Sequence, residues 1–199
     1  MKKLFLIVSC FVFYSGFAQN NDDYERIYVE GGFVKPLGKL SEKFEMAPSF
    51  GFWFRTKIMH DDCIDLGFNF FIPKNPIDPS FRYRDSIVKY DSKYFAINIG
   101  TRFAKVIPLS VKSNNLNVEW NSGIGLALNV YDAPKGLEFE KGEHSEEILT
   151  TFYLSQGVKV NYKNVGLQCH YQWSPYGLFN SRIDNFGSQS ILFGIVYRQ

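Results

Sequence analysis

From Ile27 onward, large apolar side chains recur at every second position, and Gly, Ser, Asn, Gln or a charge fills the places between them. Period-two alternation is what a strand with two unlike faces needs. A helix cannot keep such a stripe on one side. Eight runs show it, over 27–34, 47–58, 63–73, 93–106, 116–130, 149–162, 165–173 and 188–197. In the first, Ile27, Val29, Gly31 and Phe33 oppose Tyr28, Glu30, Gly32 and Val34. In the second, Phe50, Phe52, Phe54 and Ile58 oppose Ser49, Gly51, Trp53 and Arg55. In the last, Leu192 and Val196 interrupt an otherwise small and polar set. The runs are close to the roughly 9–11 residues with which a tilted strand crosses a bilayer.

A soluble β-sandwich also alternates, with its large apolar residues inward. Three features favour lipid as the surroundings of the apolar face. The joins alternate in length: Met59–Asp62, Ile107–Asn115 and Lys163–Asn164 are short, whereas 35–46, 74–92, 131–148 and 174–187 are long. Membrane barrels have short turns on one side and longer loops on the other. Outward aromatics gather near the strand ends, with Phe103, Trp120, Tyr162 and Tyr197 at the turn side and Phe50, Phe95 and Trp173 at the loop side, as two interfacial girdles would. The chain also ends in a strand, with Tyr197 near its terminus. The expected fold is all-β: a closed, antiparallel, eight-stranded up-and-down transmembrane β-barrel.

The N-terminus supplies a route to such a membrane. Lys2 and Lys3 precede the apolar stretch Leu4–Phe17, and Gly16-Phe17-Ala18 offers small residues at −3 and −1. Residues 1–18 read as a cleaved signal peptide and 19–199 as the barrel domain. The apolar stretch is too short for a comfortable transmembrane helix. Ile7-Val8-Ser9-Cys10 is a weaker alternative, a lipoprotein-type signal. The net charge of +2 vanishes with Lys2 and Lys3, which gives no electrostatic case for nucleic acid as a partner. Aromatics at 18% suit a protein that shows rings to lipid and interface.

The export signal, the stretch Gly31-Gly32-Phe33-Val34-Lys35-Pro36-Leu37-Gly38-Lys39-Leu40-Ser41, the glycine-rich Ser49-Phe50-Gly51-Phe52 and the terminal strand resemble small outer-membrane β-barrel proteins of the PorT-like and OmpA-like kind. The resemblance covers nearly the whole mature chain. It implies a Gram-negative cell envelope, outer-membrane lipid as surroundings and the barrel assembly machinery as a partner.

Chemistry is sparse. The inward face carries Glu30, Arg55, Asp65, Arg102, Glu119 and Lys159, three acids and three bases. Arg55 and Asp65 flank the turn near His60 symmetrically and should face each other. Arg102 and Glu119 flank the next turn in a similar way. An eight-stranded barrel is just wide enough for side chains, so charges inside it must pair. That predicts a plug; a narrow porin-like channel is the alternative. His60, His144 and His170 share no metal-ligand spacing, and neither a metal nor another cofactor is expected. Glu143, His144 and Ser145 are residue types of acyl transfer, so a lipid-modifying barrel enzyme is a second alternative to a non-enzymatic protein. A soluble lipocalin-like binding barrel is a third. Cys63 should face inward and Cys169 outward on opposite walls, too far apart for a disulfide. In the long joins, Arg82, Tyr83, Arg84, Tyr90, Tyr176 and Arg182 are candidates for recognising a protein or surface ligand.

N-terminal sequencing of the protein recovered from its host should begin at Gln19; an intact Met1 would refute export by a cleaved signal.

Overall fold

A strand whose two faces differ in polarity must bury one of them, and a sheet of such strands does so most completely by closing on itself. The computed structural model of the chain describes residues 27–42, 44–59, 61–72, 80–83, 86–89, 95–109, 116–132, 146–176 and 187–199. Ten strands follow in order: β1 (Ile27–Leu37), β2 (Ala47–Lys57), β3 (Asp62–Phe71), β4 (Ser80–Tyr83), β5 (Ser86–Lys89), β6 (Phe95–Pro108), β7 (Leu116–Asp132), β8 (Glu146–Tyr162), β9 (Val165–Tyr176) and β10 (Gly187–Arg198). Eight of them form a closed barrel in the order β1-β10-β9-β8-β7-β6-β3-β2, every neighbour antiparallel. The short strands β4 and β5 make a separate hairpin between β3 and β6.

The register sets the barrel's shape. One circuit through cross-strand partners runs Ile27, Phe54, Leu66, Thr101, Ile124, Leu154, Trp173, Gln189 and back to β1 at Leu37. The circuit returns 37 − 27 = 10 residues further along β1. Such a stagger tilts the strands by roughly 35–45° and leaves an interior that side chains just fill.

The two faces are inverted relative to a soluble protein. Phe50, Ile99, Ile124, Leu126, Leu167 and Ile195 are exposed on the outside. Asn98, Asn121, Asn129, Asn161, Gln168 and Ser190 are buried on the inside. Two small apolar clusters share the lumen with them. Val196 packs on Tyr28 and Trp53, and Leu192 packs on Phe71, Ala96 and Val34. The interruptions at Leu192 and Val196 are therefore inward contacts, not a break in the strand.

Glycine solves a space problem inside. Gly67, Gly100 and Gly125 are cross-strand partners in one line, flanked by Trp53 and Tyr153. A Cβ on Gly100 would lie 2.4 Å from the Ile124 carbonyl oxygen and 2.5 Å from the Tyr153 hydroxyl, and one on Gly67 would lie 2.9 Å from the Trp53 ring. The large rings rest on bare backbone, the close approach that glycine permits.

The elements extend beyond the predicted runs. β1 continues through Lys35–Leu37, which pair with Gln189–Ile191, and a 3₁₀ helix follows at Gly38–Glu42. Leu40 and Phe44, read from sequence as part of a loop, are buried. β7 and β8 pair as far as Asp132 with Glu146, 17 residues each. The Lys163–Asn164 turn places Lys163 at positive φ (51°), and its backbone is held by β10: the Asn164 carbonyl accepts from Arg198 N at 2.8 Å, and the Lys163 carbonyl accepts from the Arg198 guanidinium.

Leu126→Arg should cost roughly 2–4 kcal/mol of folding free energy in lipid vesicles, the range for an arginine on the lipid face near mid-membrane, whereas Leu126→Phe should leave stability nearly unchanged. Urea titrations followed by heat-dependent gel migration measure both. Equal losses would show that Leu126 does not face lipid.

Candidate functional site

The lumen holds the only constellation of charged side chains buried among the described residues. Each sits there because strand alternation turns it inward: Glu30 on β1, Arg55 on β2, Asp65 on β3, Arg102 on β6, Glu119 on β7 and Lys159 on β8, all nearly inaccessible to solvent. The tight β2–β3 turn makes Arg55 and Asp65 direct partners. Arg55 donates from Nε to Asp65 Oδ1 at 2.5 Å and from Nη2 to Asp65 Oδ2 at 2.9 Å. It also reaches across to Glu119, at 3.0 Å from Nη1 and 2.8 Å from Nη2. Glu119 accepts a further bond from Asn161 at 2.8 Å, and Asn161 also donates to Asn117 at 2.8 Å.

A second cluster centres on Glu30, whose Oε1 accepts from Arg102 at 2.7 Å and Lys159 at 2.8 Å. Arg102 therefore does not pair with Glu119, contrary to the symmetric placement the sequence suggests. Register sets Arg102 opposite Gly123 and sets Glu119 opposite Val106, because the β6–β7 turn starts only after Pro108. Charges on opposite walls also meet across the narrow lumen, which no cross-strand rule describes.

Aromatic rings bind the two clusters together. The Arg102 guanidinium lies 3.6 Å from the centroid of the Trp53 ring, and Tyr28 carries Arg55 at 4.2 Å and Lys159 at 5.3 Å. Planar cations over aromatic faces gain attraction without needing water. Trp53 in turn donates to Asn69 at 3.2 Å. Sequence reasoning missed Arg198. Its side chain points inward, 3.7 Å from Glu119. The inward position that follows from alternation after Tyr197 was the available signal.

Toward the loop end the lumen is neutral. Asn98 donates across the barrel to Gln172 at 3.0 Å, and Gln172 donates to Ser174 at 2.9 Å. Above them a pocket of about 50 Å³ is lined by Leu40, Phe44, Phe71, Gln172 and Tyr176 among others. Tyr176 does not project from an external loop: it ends β9, half-buried at the barrel mouth. Arg82 and Tyr83 belong to β4. Arg84, Tyr90 and Arg182 lie outside the described residues, as do Glu143, His144, Ser145 and His60. His170 is buried in the lumen, and among the described residues no three His, Cys, Asp or Glu side chains are grouped as metal ligands. Cys63 is buried and Cys169 exposed, not joined to each other, on strands four places apart in the eight-strand ring.

A closed up-and-down sheet, apolar outside and hydrogen-bonded across a polar lumen, defines a transmembrane β-barrel. No family model and no curated protein matches the chain. Among solved structures it is similar to the outer membrane protein Ail of Yersinia pestis in a phospholipid bilayer nanodisc, at 13% identity and TM-score 0.46, over 88% of this chain and 100% of that one. It is also similar to the crystal structure of Ail, the attachment invasion locus protein of Yersinia pestis, at 13% identity and TM-score 0.45, over 88% and 97% of the two chains. A third likeness is to Ail in complex with the heparin analogue sucrose octasulfate, at 14% identity and TM-score 0.43, over 88% and 97%.

Glu30→Ala strands both Arg102 and Lys159, so it should destabilise by about 3–5 kcal/mol, as breaking a buried ion pair does. Lys159→Ala leaves Glu30 its bond from Arg102 and should cost less. Urea unfolding in vesicles ranks the two; equal costs would mean that water, not protein, solvates these charges.

Proposed function

We propose that this protein is a non-enzymatic outer-membrane barrel, exported by its N-terminal signal, whose lumen is closed by paired charges and whose loop end meets a protein or surface ligand outside the cell. The observation that carries the closed lumen is Glu30, held between Arg102 and Lys159 from two other strands. With Arg55 joining Asp65 to Glu119, these bonds tie six of the eight walls together across the section where an open pore would run. The turn end, where Ile27 and Gln199 meet, faces the periplasm in this reading. The loop end faces outward.

Two features of the loop end support a role in recognition. β7 and β8 are well beyond the length that crosses a bilayer, so their paired ends stand clear of the membrane as a ribbon. The β4–β5 hairpin adds a second paired projection at the same end. Backbone already paired in this way loses less entropy on binding than an open loop would. Assembly in the membrane by the barrel assembly machinery belongs to the same reading.

The narrow-channel reading has its own observation. The Tyr153 and Ser155 hydroxyls and both ring nitrogens of His170 are buried and make no hydrogen bond within the described residues. Groups of that kind are ordinarily satisfied by internal water.

Planar-bilayer recording separates the two. The refolded protein should add no ionic current above that of the bare bilayer, while a variant carrying Glu30→Ala, Arg102→Ala and Lys159→Ala should show discrete openings. Stepwise conductance by the unmodified protein would overturn the plug and establish the channel.

A further inference from the structure

Around most of the barrel the outward positions at mid-depth are Phe, Leu, Ile and Val. One wall departs from this, beside the outward, exposed Thr101 of β6. Ser122 on β7, Gln156 on β8 and Tyr171 on β9 are direct cross-strand partners and all face outward. Gln156 is exposed and Tyr171 is 44% exposed. Gln156 stands six residues from the turn end of its strand at Tyr162, and Tyr171 six from Val165. Six residues at roughly 3.3 Å each, on strands tilted by about 40°, rise about 15 Å. That depth is close to the middle of an apolar band about 25 Å tall.

Among the described residues, none bonds to the Gln156 amide or to the Tyr171 hydroxyl. Hydrocarbon offers no substitute partner, and polar groups at this depth are costly unless a protein surface covers them. The chemistry of an amide says which surface. It carries a donor and an acceptor side by side, so two glutamines related by a two-fold axis satisfy each other. An isologous interface repeats one patch on both partners in this way.

We propose that the β7–β9 wall is the contact face of a homodimer, in which the Gln156 amides of two copies hydrogen-bond at mid-bilayer with Ser122 and Tyr171 beside them. This rests on the chain being a membrane barrel. The occupant is a second copy and not lipid, because lipid tails present no hydrogen-bonding group at this depth.

The chain carries its own reporter. Cys169 is an exposed free thiol on the same wall, two residues from Tyr171 and paired with Val158, next but one to Gln156. Cys63 is buried on the opposite wall and cannot reach a neighbouring barrel. The protein is refolded into phosphatidylcholine vesicles at high lipid excess, insertion is verified by heat-dependent gel migration, and thiols are oxidised with copper phenanthroline. A covalent dimer should form, vanish in Cys169→Ser and persist in Cys63→Ser. Gln156→Leu, which places an apolar side chain in lipid and so should fold normally, should weaken dimerisation about tenfold, the effect of losing roughly 1.4 kcal/mol of hydrogen bonding. Inserted protein that yields no dimer, or a Gln156→Leu variant that dimerises equally well, would overturn the dimer and leave the membrane barrel standing. Failure of the unmodified protein to insert would overturn the membrane barrel itself and the dimer with it.

Discussion

A backbone N–H or C=O left unpaired in hydrocarbon costs several kcal/mol, so a sheet in a bilayer cannot have a free edge. Here that constraint is met at one seam. β1 pairs with β10 over nearly its whole length, and the backbones of Ile27 and Gln199 exchange bonds of 3.2 and 2.9 Å at its end. Closing eight strands with a stagger of ten residues fixes the width of the lumen. The width then decides what may point inward. Trp53 and Tyr153 fit because Gly67, Gly100 and Gly125 give up their side chains, and the charged groups are close enough to bond from wall to wall.

That narrowness changes the energetics of the charges. In a wide pore Glu30, Arg102 and Lys159 would each keep a water shell, and their pairing would be worth little. In this lumen they are buried, and the cost of desolvation is offset only by bonds that satisfy both partners. The network's value is thus less in net stability than in fixing which walls face one another. A stagger other than the native one would leave a carboxylate or a guanidinium buried alone. Three acids and four bases, counting Arg198, are threaded together by Tyr28 and Trp53, so an error in register at one strand is felt by the others.

The fold was legible in the chain because one physical rule, alternation between two unlike environments, repeats at every strand. The pairing of Arg55 with Asp65 was legible for a local reason: a four-residue turn centred near His60 mirrors one strand onto the next. Arg102 was misassigned because its partner lies on a strand 72 residues away in sequence, reached through the lumen and not across a turn. Leu192 and Val196 looked like noise in a polar face, since alternation cannot say that a polar lumen contains apolar clusters. Leu40 and Phe44 are a similar case: nothing in a loop's sequence states that it turns back over the barrel mouth.

The seam between β1 and β10 has a kinetic side. Its two strands are the most distant pair in the chain, and Arg198 and Gln199 both take part in it. Every other neighbouring pair can form as soon as its second strand exists, but the ring closes only when β10 has arrived. Contacts of such long sequence separation are slow to find. Until then the growing sheet has two open edges and an exposed apolar face, the kind of surface on which chains stick to one another. A chain built this way has to be kept apart from its neighbours for as long as it takes to make β10.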